Sequence, residues 1–95
     1  MRSDSFPAVA ERQTVILREA TARVARHCAR YRFSRSDRAL PQYYVEVEYA
    51  GERAAICLGT DGERAARAFD LLVRGRVTPC TLRDVVEDMD ALGEI

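Results

Sequence analysis

From Tyr43 to Tyr49 the side chains alternate, with Tyr43, Val45, Val47 and Tyr49 on one parity and Tyr44, Glu46 and Glu48 on the other. A period of two fits a strand with one dry face and one wet face. Gly51-Glu52 suits a two-residue turn with glycine first. Closing the turn there pairs Ala50 with Arg53 and sets Tyr49 opposite Ala54, Val47 opposite Ile56 and Val45 opposite Leu58. All six lie on one side, so turn chemistry and apolar pattern agree. The outer side receives Glu46, Glu48, Ala55 and Cys57.

Two helices are expected to cover the dry face. Thr60-Asp61-Gly62-Glu63 has the form of a capping box, with Thr60 at the N-cap. Ala65, Phe69, Leu72 and Val73 then recur at helical spacing, while Glu63, Arg64, Arg67, Asp70 and Arg74 hold the wet face. Gly75 stands at the C′ position, so a helix is expected over about 61–74. Thr78-Pro79 offers another N-cap with proline at N1. The stripe Leu82, Val85, Val86, Met89 and Leu92 places a second helix over about 79–92. Between them, Gly75-Arg76-Val77 allows only a tight corner.

The N-terminal third reads two ways. Ala25, His27, Ala29, Tyr31 and Phe33 alternate with Arg26, Cys28, Arg30 and Arg32, as in a strand. Ile16, Ala20, Val24, His27 and Tyr31 also share one helical face, so a helix over residues 14–30 competes. The aromatics near its end favour a strand over about 23–33, with Ser34–Pro41 as a polar loop and Thr14–Leu17 as a short strand or helical turn. Residues 1–12 are expected to be a flexible tail and 13–95 one small domain. The expected architecture is α+β: an antiparallel three-stranded meander, then two C-terminal helices packed on one sheet face.

The stretch Val77-Thr78-Pro79-Cys80-Thr81-Leu82-Arg83-Asp84-Val85-Val86-Glu87-Asp88-Met89 resembles the C-terminal signature of a family of small bacterial, clostridial-type proteins known as domain of unknown function 6514. The resemblance covers about residues 42–90. It implies a Tyr-rich hairpin, a helix, a Val-Thr-Pro corner and an acidic last helix. Val86 stands where the family more often has isoleucine, and the Arg-rich segment lies outside the matching pattern. That family has no established activity, so the likeness speaks to fold and not to chemistry.

Charge is divided along the chain. Its fifteen arginines, with no lysine, balance fifteen acids. Residues 1–41 carry nine arginines against four acids (9 − 4 = +5), and residues 42–95 carry six against eleven (6 − 11 = −5). Without lysine there is no Schiff-base chemistry and no phosphate-loop lysine. No stretch is long and apolar enough for a membrane span, and Met1-Arg2-Ser3-Asp4-Ser5-Phe6-Pro7 leads into no apolar signal region. Three scattered cysteines, Cys28, Cys57 and Cys80, form no disulfide framework, so the expected compartment is the reducing cytoplasm.

The candidate binding residues are the basic set Arg26, Arg30, Arg32 and Arg35, and the acidic set Asp84, Glu87 and Asp88 on the last helix. A helix carrying Asp84, Glu87, Asp88 and Asp90 against Arg83 alone (1 − 4 = −3) cannot enter a DNA major groove. The arginines could instead meet a single strand, with Tyr31, Phe33, Tyr43 and Tyr44 stacking on bases. They could equally pair across strands with Glu46 and Glu48, the surplus serving a protein partner or a second copy. Adjacent His27 and Cys28 diverge on any regular backbone, so they make no catalytic dyad, and His27 is expected to be a half-buried packing residue. Cys80 reads as a small packing hydrophobe near a helix start. No Cys-x-x-Cys pair nucleates a zinc site, and neither metal nor cofactor is expected. The residues thus lead to a non-enzymatic regulatory or adaptor domain that binds protein, with a nucleic-acid-binding module as the alternative.

Overall fold

The computed structural model describes residues 14–95, so the expected tail at 1–12 lies outside the described residues. The chain runs β1 (Thr14–Val24), β2 (His27–Ser36), β3 (Tyr43–Tyr49), β4 (Glu52–Gly59), α1 (Gly62–Arg74), a 3₁₀ turn (Pro79–Thr81) and α2 (Leu82–Ala91). The strands form one antiparallel sheet in the order β1-β2-β3-β4. The fold is α+β with two C-terminal helices, as expected, but among the described residues the sheet has four strands rather than three. What reads as one strand over 23–33 is broken by a two-residue turn at Ala25-Arg26, between paired Val24 and His27. Ala25 takes φ +54°, a left-handed conformation that alanine seldom adopts. No glycine, asparagine or aspartate marks it. The helical alternative for residues 14–30 is overturned, since β1 alternates outward Glu19, Thr21 and Arg23 with partly buried Ala20, Ala22 and Val24. β2 also continues to Ser36, shortening the expected loop.

The β3–β4 hairpin forms with its register moved. Its central turn residues are Ala50 and Gly51, at φ +52° and +84°, which meets the type I′ condition of two positive φ angles. Tyr49 therefore faces Glu52, Val47 faces Ala54 and Val45 faces Ile56. Moving the turn by one residue shifts each pairing by two, so every side chain keeps its expected face. A bulge restores the far end: Tyr44 pairs with Cys57 and Tyr43 with Gly59, leaving Leu58 as the extra residue, 3 % exposed. Because Ala50 holds a conformation that asparagine tolerates better, Ala50→Asn should stabilise the domain by about 0.5–1 kcal/mol. Urea denaturation should show a higher midpoint at unchanged slope.

Asp61, not Thr60, caps α1: its Oδ1 accepts from the Glu63 and Arg64 backbone N–H groups at 3.1 Å each. Aspartate one residue nearer the helix reaches the free amides first. At the other end Gly75 stays in the right-handed region, and Arg76 at φ +53° takes the C′ role. The Val77 N–H donates to the Leu72 carbonyl and the Arg76 N–H to the Val73 carbonyl, both at 3.1 Å, completing a Schellman motif. α2 enters through the 3₁₀ turn after Thr78-Pro79, and the Thr78 side chain makes no capping bond. It ends in a second Schellman motif, with Gly93 at φ +73°. Leu92, expected on the apolar stripe, is the C-cap residue and stands 73 % exposed where the stripe runs off the sheet.

Both helices lie on the face bearing Ala29, Tyr31, Phe33, Val45, Val47 and Leu58. Ala65, Ala68, Phe69 and Leu72 from α1 and Leu82, Val86 and Met89 from α2 complete the core. The Tyr31 hydroxyl donates to the Val77 carbonyl at 2.9 Å, tying the middle of the sheet to the corner between the helices. At the sheet's β1 side Arg18 closes the core. Its guanidinium carbon lies 5.1 Å from the Phe69 ring centre and 6.0 Å from that of Phe33, and Nη2 pairs with Asp70 at 3.1 Å. Among the described residues no helix is long and apolar enough to cross a membrane.

Candidate functional site

With both helices on one side, the opposite side of the sheet is left without a covering layer among the described residues. Alternation within each strand and direct opposition between strands put Ile16, opposite Ser34, and Glu19, Thr21 and Arg23 of β1 on this open face. Cys28, Arg30, Arg32 and Ser34 of β2, Tyr44, Glu46 and Glu48 of β3, and Arg53, Ala55 and Cys57 of β4 complete it. Charges of opposite sign meet along the rows. Arg32 lies between Glu19 (Nε to Oε2, 3.1 Å) and Glu46 (Nη1 to Oε1, 3.5 Å). Glu48 lies between Arg30 at 3.5 Å and Arg53 at 3.6 Å, and Arg53 also reaches Glu46 at 3.3 Å. Each contact is a solvent-screened pair worth about 0.2–1 kcal/mol, but the network orients six side chains over one face. Glu19, Thr21, Arg30, Arg32, Glu46 and Glu48 border a shallow depression there.

The network redistributes the basic set. Arg30 and Arg32 sit mid-sheet and are neutralised by the chain's own glutamates. Arg26 is exposed in the β1–β2 turn. Arg35 pairs with Val15 and Tyr43 on the helix-facing parity of β2, so it does not share the face of Arg30 and Arg32. Eight strand steps, about 26 Å, separate His27 from Arg35 along β2, and Arg26 lies beyond His27 in the turn. The open face as a whole carries Arg23, Arg30, Arg32 and Arg53 against Glu19, Glu46 and Glu48, so 4 − 3 gives +1.

The aromatic set is redistributed too. Tyr31 and Phe33, 1 % and 4 % exposed, are core residues, and Tyr43 stacks on Phe33 with ring centres 5.9 Å apart. Tyr44 alone of the four faces outward, its hydroxyl donating to the Gln42 side-chain oxygen at 3.3 Å. Burial raises the Tyr31 hydroxyl pKa above its usual value, with Arg76 opposing the shift.

On α2, Asp84, Glu87 and Asp88 are exposed, while the neighbouring Asp90 pairs with Arg64. Cys80 is exposed rather than packed, its Sγ 3.7 Å from the Thr78 hydroxyl, because the 3₁₀ turn rolls it outward while Pro79 and Leu82 go in. His27 is exposed beside the β1–β2 turn, its ring edge-on to Tyr49 at 5.6 Å. Among the described residues no three histidine, cysteine or acidic side chains converge as metal ligands would. Glu19, Arg23 and Arg53 were missed as members of the open face. Their signal was present for β1, where Glu19, Thr21 and Arg23 alternate with Ala20, Ala22 and Val24. No protein-family model, curated protein or solved structure matches the chain.

Proposed function

We infer that this chain is a non-enzymatic regulatory or adaptor domain that binds protein, through self-association or a separate partner. The observation carrying this reading is the ion-pair network on the open sheet face, in which Arg30 and Arg32 already satisfy Glu19, Glu46 and Glu48. A polyanion landing mid-sheet would have to displace three carboxylates to reach Arg30 and Arg32, and Arg53 is held by two of the same glutamates, which leaves Arg23 as the one open-face arginine without an ion pair among the described residues. It would also find Tyr44 in place of a stacking platform, because Tyr31 and Phe33 are buried. A protein surface of alternating charge can pair with the same network without breaking it. The exposed acidic run Asp84, Glu87 and Asp88 offers a second contact of opposite character. The resemblance of about residues 42–90 to the clostridial-type family belongs to the same reading and brings no chemistry with it.

The test is a titration of fluorescently labelled single-stranded RNA and DNA with the full chain at low and moderate salt. No saturable binding at low salt is expected. Micromolar affinity that falls steeply with salt would transfer the function to the nucleic-acid alternative. In parallel, affinity capture from native lysate should yield a defined partner, or the chain itself, whose retention drops when Asp84, Glu87 and Asp88 are replaced by their amides.

A further inference from the structure

We propose that a second copy of this chain docks antiparallel along the free edge of β1, centred on Thr21, to make one continuous sheet across two molecules. This rests on the protein-binding reading above and names its surface and partner. Among the described residues β1 is an edge strand of 11 residues, and an edge exposes unpaired N–H and C=O groups. The two sheet edges differ. Along β4, Pro79, Cys80, Arg83 and Asp84 stand beside Ala54, Ala55 and Ile56 around a common depression, so helix-side residues crowd that edge. The first part of β1 is interrupted by a bulge between Ile16 and Arg18, and Arg18 is drawn inward to Asp70. The regular stretch from Glu19 to Val24 carries neither device.

Backbone geometry then restricts the register. Val24 and His27 close a two-residue turn and so form a bonded pair. Bonded and non-bonded pairs alternate from there, which turns the backbone groups of Glu19, Thr21 and Arg23 away from β2 and toward the free edge. A second β1 must set odd residues against odd ones. Centring on Ala20 puts Arg23 opposite Leu17, at the bulge, and centring on Ala22 puts Glu19 opposite Ala25, in the turn. Centring on Thr21 sets Glu19 opposite Arg23 of the second copy, twice by symmetry, on the open face. Ala20 then meets Ala22 of the second copy on the helix-covered side, where both side chains are small and already lean on the core. Arg23 makes no ion pair among the described residues, and this register supplies one. The row Glu46, Arg32, Glu19 continues into Arg23 of the second copy with signs still alternating.

Sedimentation velocity of the full chain over a wide concentration range tests this, with circular dichroism and thermal melting as controls on folding. The wild type should show a concentration-dependent dimer. Thr21→Pro removes an N–H that points off the edge, where an edge strand tolerates proline. It should weaken the dimer at least about tenfold. Glu19→Arg and Arg23→Glu should each weaken it by roughly tenfold, and the double reversal should recover most of the loss. Should Thr21→Pro fail to fold, the charge-reversal series decides alone. A strict monomer at every concentration overturns the inference. A dimer indifferent to all four variants overturns it as well, and it leaves the protein-binding reading standing through another surface.

Discussion

Tyr31→Ala should bring the domain close to unfolding at room temperature, with a loss of about 3–5 kcal/mol. Tyr31 is the largest fully buried side chain, 1 % exposed, between the sheet centre and both helices. A chain of this size has about 5–15 kcal/mol in total, so one such cavity removes a large part of it. Tyr31→Phe separates ring from hydroxyl. It keeps the packing but takes the donor from the Val77 carbonyl, at a cost of about 1–2 kcal/mol. Urea denaturation of the two variants measures both values; equal losses would show that the hydroxyl and not the ring anchors the corner. The raised Tyr31 pKa adds a pH signature. The hydroxyl stays protonated longer in the folded state, so its contribution is intact below pH ~10, where the unfolded side chain begins to ionise. It is lost as pH rises from there through the folded pKa. Wild-type stability should therefore fall more steeply above pH ~10 than that of Tyr31→Phe.

Phe69→Ala should cost a similar amount, about 3–5 kcal/mol, for two reasons that can be separated. Phe69 is 3 % exposed and stacks on Phe33, ring centres 5.4 Å apart at 27°. That pair contributes about 0.5–1.5 kcal/mol beyond area burial. Phe69 also carries the Arg18 guanidinium over its ring at 5.1 Å, held in place by Asp70 at 3.1 Å. Arg18→Met keeps a long apolar stem and removes the charge, at an expected cost of about 0.5–1 kcal/mol. In a double-mutant cycle the two changes should couple by about 0.5–1 kcal/mol. Additive losses would show that Arg18 closes the core by its stem alone.

Much of this molecule could be read residue by residue. The inward parity of Val45, Val47 and Tyr49, and of Ala29, Tyr31 and Phe33, follows from a period of two that nothing in the tertiary structure disturbs. Helices expected from their apolar stripes over about 61–74 and 79–92 form over residues 62–74 and 82–91, the second entered through the 3₁₀ turn at Pro79–Thr81. The candidate site was legible only in part. Cross-strand pairing of Arg30 and Arg32 with Glu48 and Glu46 could be anticipated from parity; the alternation around Glu19 was visible too, but which residues Glu19 and Arg53 would meet was not. Their place depends on a turn at Ala25-Arg26 and a hairpin register centred on Ala50-Gly51.

From Tyr43 onward, face and element type were determined by the sequence alone, because the periodicity of apolar residues acts over a few neighbours; over residues 14–36 that period fitted strand and helix alike, and cross-strand pairing decided. Strand number, register and the contributions of Glu19 and Arg53 to the ion-pair network were decided only by the tertiary structure. Two turns place alanine in a left-handed conformation that no local preference announces, and Arg76 does the same at the end of α1. Such residues are held there by the pairing and packing on either side, whose combined gain exceeds the roughly 1–2 kcal/mol each conformation costs. A two-residue slip leaves every side chain on its own face, so the apolar pattern cannot choose between registers. The choice falls to contacts between distant segments, and those contacts set which carboxylate each arginine meets.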